Sequence, residues 1–180
     1  TFSLPSQWTD KSILIEFDGV FKNSEVWING HFLGKRPNGY ISFSYDLSKY
    51  LNFGKQSNII AVKVDNDAQP NSRWYTGSGI YRNVRLVVQN KLHVAQWGTY
   101  ITTPKVSQDK ASVHFQTTIN NELPISKQIK VVTTIVDANR VPQTKATSIQ
   151  TIKANSVLEY QQNLVLKQPR LWSVNSPYLY

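Results

Sequence analysis

The chain has 180 residues and a formal charge of +9, with 40% hydrophobic and 12% aromatic residues, 8 Gly, 8 Pro and neither Cys nor Met. That length fits one or two domains at roughly 100 to 200 residues each, and excludes a whole (β/α)8 barrel, which needs about 250. Without cysteine there are no disulfide scaffolds, thiolate nucleophiles or cysteine-based zinc sites, and no apolar run approaches the ~18 to 20 residues of a membrane-spanning helix.

The N-terminal Thr1-Phe2-Ser3-Leu4-Pro5 has neither the basic nor the hydrophobic region of a targeting signal. The missing methionines, position 1 included, point to a segment of a longer protein. Positive charge is dispersed: the halves carry +3 and +6, and Lys105, Lys110, Lys127, Lys130, Lys145, Lys153 and Lys167 are scattered through turns and strand margins. Such a surface keeps strand edges from aggregating, and it lacks the clustered basic face that a nucleic-acid partner requires.

Periodicity is of the strand kind almost throughout. In chain order, β-branched and aromatic residues predict strands over 13–17, 25–28, 31–33, 42–45, 58–64, 80–88, 92–102, 111–119, 129–137 and 158–166. Asn29-Gly30 between the second and third suits a two-residue hairpin turn, because both central positions need φ > 0. Residues 46–51 form the single helix-like piece, about one turn, with Asp46 placed to cap it and Gly54 just past its end. In 111–119 Ala111, Val113, Phe115, Thr117 and Ile119 alternate with polar residues; in 158–166 Gln162 on the inner side and Val165 outside blur the pattern. Short strands, frequent turns and no long amphipathic helix predict all-β sandwiches. The aromatic- and glycine-rich stretch ends near Asn90-Lys91, so two domains are expected, 1–90 and 91–180, each close to the ~100 residues of an immunoglobulin-like sandwich.

The segment from Asp65 to Arg85 is longer than a hairpin connection and rich in aromatics, Arg and Gly. Two readings of it stand side by side. A pyranose could stack its apolar face on Trp74 or Tyr75 and hydrogen-bond Arg73, Ser72 and Asn71; alternatively the aromatics pack the sandwich rim and Arg73 pairs with a carboxylate. Gly77-Ser78-Gly79 is not a dinucleotide fingerprint, since Arg82 replaces the third glycine and a strand follows. Asp65-Asn66-Asp67 is not a calcium loop, since Pro70 stands at the invariant glycine position. His31, His93 and His114 are too scattered for a metal set.

Several motifs in order carry a resemblance: Phe17-Asp18-Gly19-Val20; Val26-Trp27-Ile28-Asn29-Gly30; Gly39-Tyr40 with Phe43 and Asp46-Leu47; Ser72-Arg73-Trp74-Tyr75 with Gly77-Ser78-Gly79-Ile80-Tyr81-Arg82-Asn83-Val84; and Leu171-Trp172-Ser173 with Pro177-Tyr178-Leu179-Tyr180. Together they resemble glycoside hydrolase family 2, most of all its bacterial β-galactosidases, over some nine tenths of the chain. The resemblance implies a jelly-roll sugar-binding domain followed by an immunoglobulin-like domain, each truncated at the outer end, with the catalytic barrel following in the parent protein. It implies no catalytic residue in this chain, because the family's two carboxylates belong to the barrel; Asn121-Glu122 resembles part of the acid/base motif but lacks its Trp-Gly context and reads as a turn. Substrate contact falls to Ser72, Arg73 and Trp74. Where some members place an acid that helps hold sodium, this chain has Ser72 or Arg73, so no metal site and no cofactor are assigned.

The expected partners are therefore a β-galactoside or other carbohydrate and the barrel of the same polypeptide, with no nucleic acid and no membrane, and with a homo-oligomer left open. Alternatives are a stand-alone carbohydrate-binding module, a structural spacer, or specificity for β-glucuronides or β-mannosides.

Overall fold

A computed structural model describes residues 1–68 and 76–180. The chain divides into two compact units, Thr1–Asn90 and Lys91–Tyr180. Among the described residues both are all-β and antiparallel, and the helical content is a single 3-10 turn at Ser6–Trp8.

In the first unit the strands are β1 (Phe2–Ser3), β2 (Lys11–Phe17), β3 (Val20–Phe21), β4 (Ser24–Ile28), β5 (His31–Arg36), β6 (Phe43–Asp46), β7 (Ser57–Asn58), β8 (Ile60–Lys63), β9 (Gly79–Ile80) and β10 (Val84–Asn90). They form two three-stranded sheets, β10-β2-β6 and β5-β4-β8, and two short pairs, β1-β7 and β3-β9. The core is built from inward residues of both sheets, Ile15, Phe17, Val26, Ile28 and Phe43, closed by Val20 and Leu47. Phe17 and Phe43 are register partners on β2 and β6, with ring centroids 5.0 Å apart. The hairpin at Asn29-Gly30 forms with φ of 49° and 84°. Asn29 also acts away from the turn, donating from Nδ2 to Tyr50 O (2.7 Å) and to Oδ1 of the buried Asn58 (2.9 Å).

Three expected elements change form. Residues 58–64 are two strands, because β7 pairs with β1 and β8 with β4, and Ile59 N–H donates to Asn29 Oδ1 (2.9 Å) at the switch. Residues 80–88 divide likewise: β9 pairs with β3, and β10 with β2. The helix-like piece after Asp46 is a turn, in which Ser48 N–H donates to Asp46 Oδ1 (2.8 Å) and Tyr50 N–H to Leu47 O (2.9 Å). Asp46 caps as expected, but buried Leu47 is held in the core and the chain turns back instead of winding on.

The second unit has β11 (Leu92–Val106), β12 (Lys110–Asn121), β13 (Lys127–Val136), β14 (Pro142–Ile152) and β15 (Ser156–Lys167), in sheets β11-β12-β15 and β13-β14. Ala111, Val113, Ile135, Leu164 and Leu166 fill the space between them. β14 was not expected, because its inward positions Thr144, Ala146, Ser148 and Gln150 are small or polar and show no apolar alternation. Gln162, the residue that blurs β15, explains them: it is 6% exposed, accepts from Thr133 Oγ1 on β13 (2.6 Å) and donates to Ser148 Oγ on β14 (3.1 Å). A polar crosslink thus bridges the two sheets.

β11 slips against β12 twice, between Val94 and Thr99 and between Thr102 and Lys105. At the first slip Trp97 has a φ of 50° and is 64% exposed. Gly98 has no room for a side chain there, since a Cβ would lie 2.7 Å from Ala95 O and 2.8 Å from Thr118 O.

Candidate functional site

Ser72, Arg73 and Trp74, with Asn71 and Tyr75, lie outside the described residues. Both flanks of their segment are described, one tied to β3 and the other to the two residues that follow it. On the entering side Asp65 N–H donates to Lys22 O (3.2 Å), and Asn23 Nδ2 donates to Asp65 O (3.1 Å). On the leaving side β9 pairs with β3, Val20 opposite Ile80 and Phe21 opposite Gly79. Buried Asn66 joins the flanks, donating from Nδ2 to Ser78 Oγ (3.1 Å) and to Thr76 O (3.4 Å). The stretch that resembled a calcium loop is therefore a structural tie across the base of the segment.

The motifs spread along the first unit converge here. Gly19 follows β2, and a Cβ there would meet Tyr81 Cζ at 2.8 Å, so the tyrosine ring occupies the space that a side chain would need. Tyr81 Oη donates to Gly39 O (2.9 Å), and Gly39 in turn lies under the Phe21 ring. Asn38 Oδ1 accepts from the amides of Tyr40 (2.8 Å) and Ile41 (3.2 Å), fixing the turn that presents Tyr40. The Tyr40 and Phe21 rings meet edge to face at 5.4 Å. Gly19 and Gly39 are thus packing glycines that let two aromatic rings approach the backbone.

These rings face Gly77, Ser78 and Gly79 across a groove of about 290 Å³. Two of these rings also carry cations: Lys22 Nζ is 5.8 Å from the Phe21 centroid, and the Arg82 guanidinium is 5.3 Å from that of Tyr81. Nearby, Arg85 Nη1 bonds Asp18 Oδ2 at 2.7 Å. The hydrogen bond from Arg85 is the main cause holding the Asp18 carboxyl below the usual aspartate range, and Asn83 and Arg82 add to it. Phe21 was not singled out in the sequence, and Tyr40 only as part of a motif. The available signal was the pairing of glycines that no turn requires with aromatics far along the chain.

The glutamates lie on separate elements. Glu25 on β4 pairs with Lys35 at 3.3 Å, Glu16 is on β2 opposite Arg85, and Glu159 is on β15 opposite Thr118. Glu122 follows β12 in a turn, where its N–H donates to Lys91 O (2.8 Å). The preceding Asn121, fully buried, donates to Ile125 O (2.9 Å) and Lys153 O (2.8 Å). That asparagine holds turns together.

Against known proteins, residues 1–90 match the family model described as "Glycosyl hydrolases family 2, sugar binding domain", and residues 92–180 match "Glycosyl hydrolases family 2". The chain belongs to glycosyl hydrolase family 2. Its fold is the family's sugar-binding domain followed by its immunoglobulin-like domain. It is 46% identical to "Beta-galactosidase BoGH2A" of Bacteroides ovatus, a match spanning all of this chain and 21% of that protein. It is 42% identical to a "Putative beta-glucuronidase" of Formosa agariphila, again over its whole length but 16% of the relative. Among solved structures, a family 2 member from Bacteroides cellulosilyticus superposes with a TM-score of 0.93 at 36% identity, covering 98% of this chain and 24% of that one. A family 2 β-glucuronidase gives 0.92 at 32% identity, covering 98% and 20%. The chain thus spans roughly a fifth of the length of these family 2 relatives.

Proposed function

We propose that this chain is the non-catalytic accessory portion of a retaining glycosidase acting on terminal β-galactosides. In this reading Ser72, Arg73 and Trp74 form part of one wall of the substrate pocket of a catalytic barrel elsewhere in the same polypeptide. The observation that carries it is the 46% identity, over the whole of this chain, with a fifth of a protein named as a β-galactosidase. The chemistry agrees. Retaining hydrolysis needs two carboxyl groups about 5 to 5.5 Å apart, and the glutamates here are dispersed over strands and a turn. An arginine offers a fork of donors to sugar oxygens, and an indole offers an apolar face to the ring. A second reading, β-glucuronide hydrolysis, is favoured by the 42% identity with a protein named as a β-glucuronidase.

The test is hydrolysis of 4-nitrophenyl β-galactoside and β-glucuronide by the complete gene product and by the 180-residue chain alone. Turnover of the galactoside by the complete protein, and none by the chain alone, is expected. Arg73→Ala should lower kcat/KM at least about tenfold, the loss of one charge-assisted hydrogen bond, while leaving Tm in place. Faster turnover of the glucuronide selects the second reading, and turnover of neither overturns both. An Arg73→Ala enzyme with unchanged kinetics would assign the segment to rim packing.

A further inference from the structure

We infer that the groove between Phe21, Tyr40 and Tyr81 on one side and Gly77, Ser78 and Gly79 on the other binds a single pyranose ring, stacked on Tyr40. This rests on the carbohydrate reading above and names residues that the reading did not include.

The aromatic side is built in advance of any ligand. Tyr81 is locked by its bond to Gly39 O and by contact with Gly19, Phe21 lies on Gly39, and the Tyr40 backbone is held by Asn38. Binding there loses little side-chain freedom, which removes one of the costs of association. Yet Tyr40 is 63% exposed and Tyr81 48% exposed, so much of this fixed aromatic surface is left uncovered by the unit itself. The opposite side keeps space open toward the described residues: among them, a Cβ at Gly77 or Gly79 would meet nothing within 4 Å. At Gly79 the φ of 116° favours glycine, but at Gly77 neither backbone conformation nor packing against the described residues does. Against those residues, what glycine contributes at 77 is an unfilled groove.

The polar groups suit hydroxyls. Ser78 Oγ accepts the Asn66 bond and so can donate its own hydrogen onward. The Tyr81 hydroxyl and the Thr76 to Gly79 backbone add further polar groups along the lining. An apolar ring face bordered by hydroxyl-binding groups is the surface a pyranose complements, with its C–H face on the aromatic and its oxygens at the margin. The volume of about 290 Å³ is at the lower end of ligand sites, which start at about 300 Å³, and so takes one ring.

The test is a ¹⁵N–¹H NMR titration of the 180-residue chain with methyl β-D-galactopyranoside. Shifts confined to Phe21, Tyr40 and Gly77 to Gly79, with a Kd on the order of 10 mM, are expected. Tyr40→Ala should weaken binding roughly tenfold by removing the stacked face. Gly77→Leu should abolish it by filling the groove, with unshifted resonances elsewhere reporting an intact fold. Tyr100→Ala, an exposed tyrosine in the second unit, should change nothing. No shifts in the groove up to about 100 mM, or shifts that survive both groove variants, overturn the inference. The hydrolysis assay separates the two claims: turnover by the complete protein with no groove binding sinks the groove alone, whereas groove binding with no turnover of either glycoside sinks the enzymatic reading alone.

Discussion

Gly19→Ala is a one-carbon perturbation whose effect can be worked out from the structure. The backbone of Gly19 lies outside the left-handed region, so alanine is compatible with it and only the new methyl matters. That methyl would sit 2.8 Å from Tyr81 Cζ and 2.9 Å from its Cε1 and Oη, closer than real carbon contacts allow. Displacing a locked ring by overpacking costs about 1 to 3 kcal/mol. Loss of the Tyr81–Gly39 bond adds about 0.5 to 1.5 kcal/mol. Restricting the unfolded chain offsets about 0.4 to 1 kcal/mol of this. The net expectation is destabilisation of the first unit by roughly 1 to 3 kcal/mol. Urea unfolding followed by tryptophan emission reads it, because Trp97 and Trp172 are 64% and 60% exposed and change little, so that the signal comes from the first unit's tryptophans, of which Trp8 and Trp27 are partly buried. The decisive comparison is the same substitution in a Tyr81→Ala background, where the clash is gone and Gly19→Ala should be neutral or stabilising. Equal effects in both backgrounds would refute the claim that Gly19 exists to seat Tyr81.

Two further outcomes follow from the polar contacts. Gln162→Leu should destabilise the second unit by about 1 to 3 kcal/mol, because the Thr133 hydroxyl loses its acceptor; adding Thr133→Val should recover part of the loss in a denaturant double-mutant cycle, and strictly additive effects would disprove the crosslink. For Asp18, whose carboxyl titrates below its unfolded value near 3.9, the Arg85 pair contributes stability above that value and loses it as pH falls through the lowered folded one. The Tm difference between wild type and Asp18→Asn should therefore be present at pH 6 and shrink below about pH 4; a pH-independent difference would show that the pair is not its source.

The strands that were legible are those with one apolar face, such as β12, where Ala111, Val113 and Ile119 point inward and are buried. β14 was illegible for a physical reason: its inward side faces the polar Gln162 and needs small and hydroxylated partners, not apolar ones. The single strand read at 58–64 hid a change of sheet, because a strand's periodicity says nothing about which neighbour it pairs with. Candidate-site residues divide similarly. The Ser72 to Trp74 segment announced itself by local composition, whereas Phe21, Gly39, Tyr40 and Tyr81 are brought together from distant positions only in the fold, where β3 pairs with β9 and Tyr81 reaches Gly39. No local window contains that information.

The two slips in β11 set how its length can change. Leu92 and Val94, before the first slip, and Thr99 after it line one groove with Ile129 and Val131 of β13, although the spacing from Val94 to Thr99 is odd. From Val94 to Thr99 the strand advances five residues while its partner advances two, from Ile119 to Thr117; from Thr102 to Lys105 it advances three against two. A regular ladder advances equally on both sides. Removal of residues 95–97 would therefore restore an uninterrupted pairing, whereas removal of one or two would leave a misfit. At the second slip one residue suffices, and Pro104, with no N–H to offer, is the one whose loss the ladder would least notice. Viable deletions in this strand are thus quantised, three residues at one place and one at the other, and a contiguous deletion of three confined to the unpaired residues 95–98 always takes Trp97 with it.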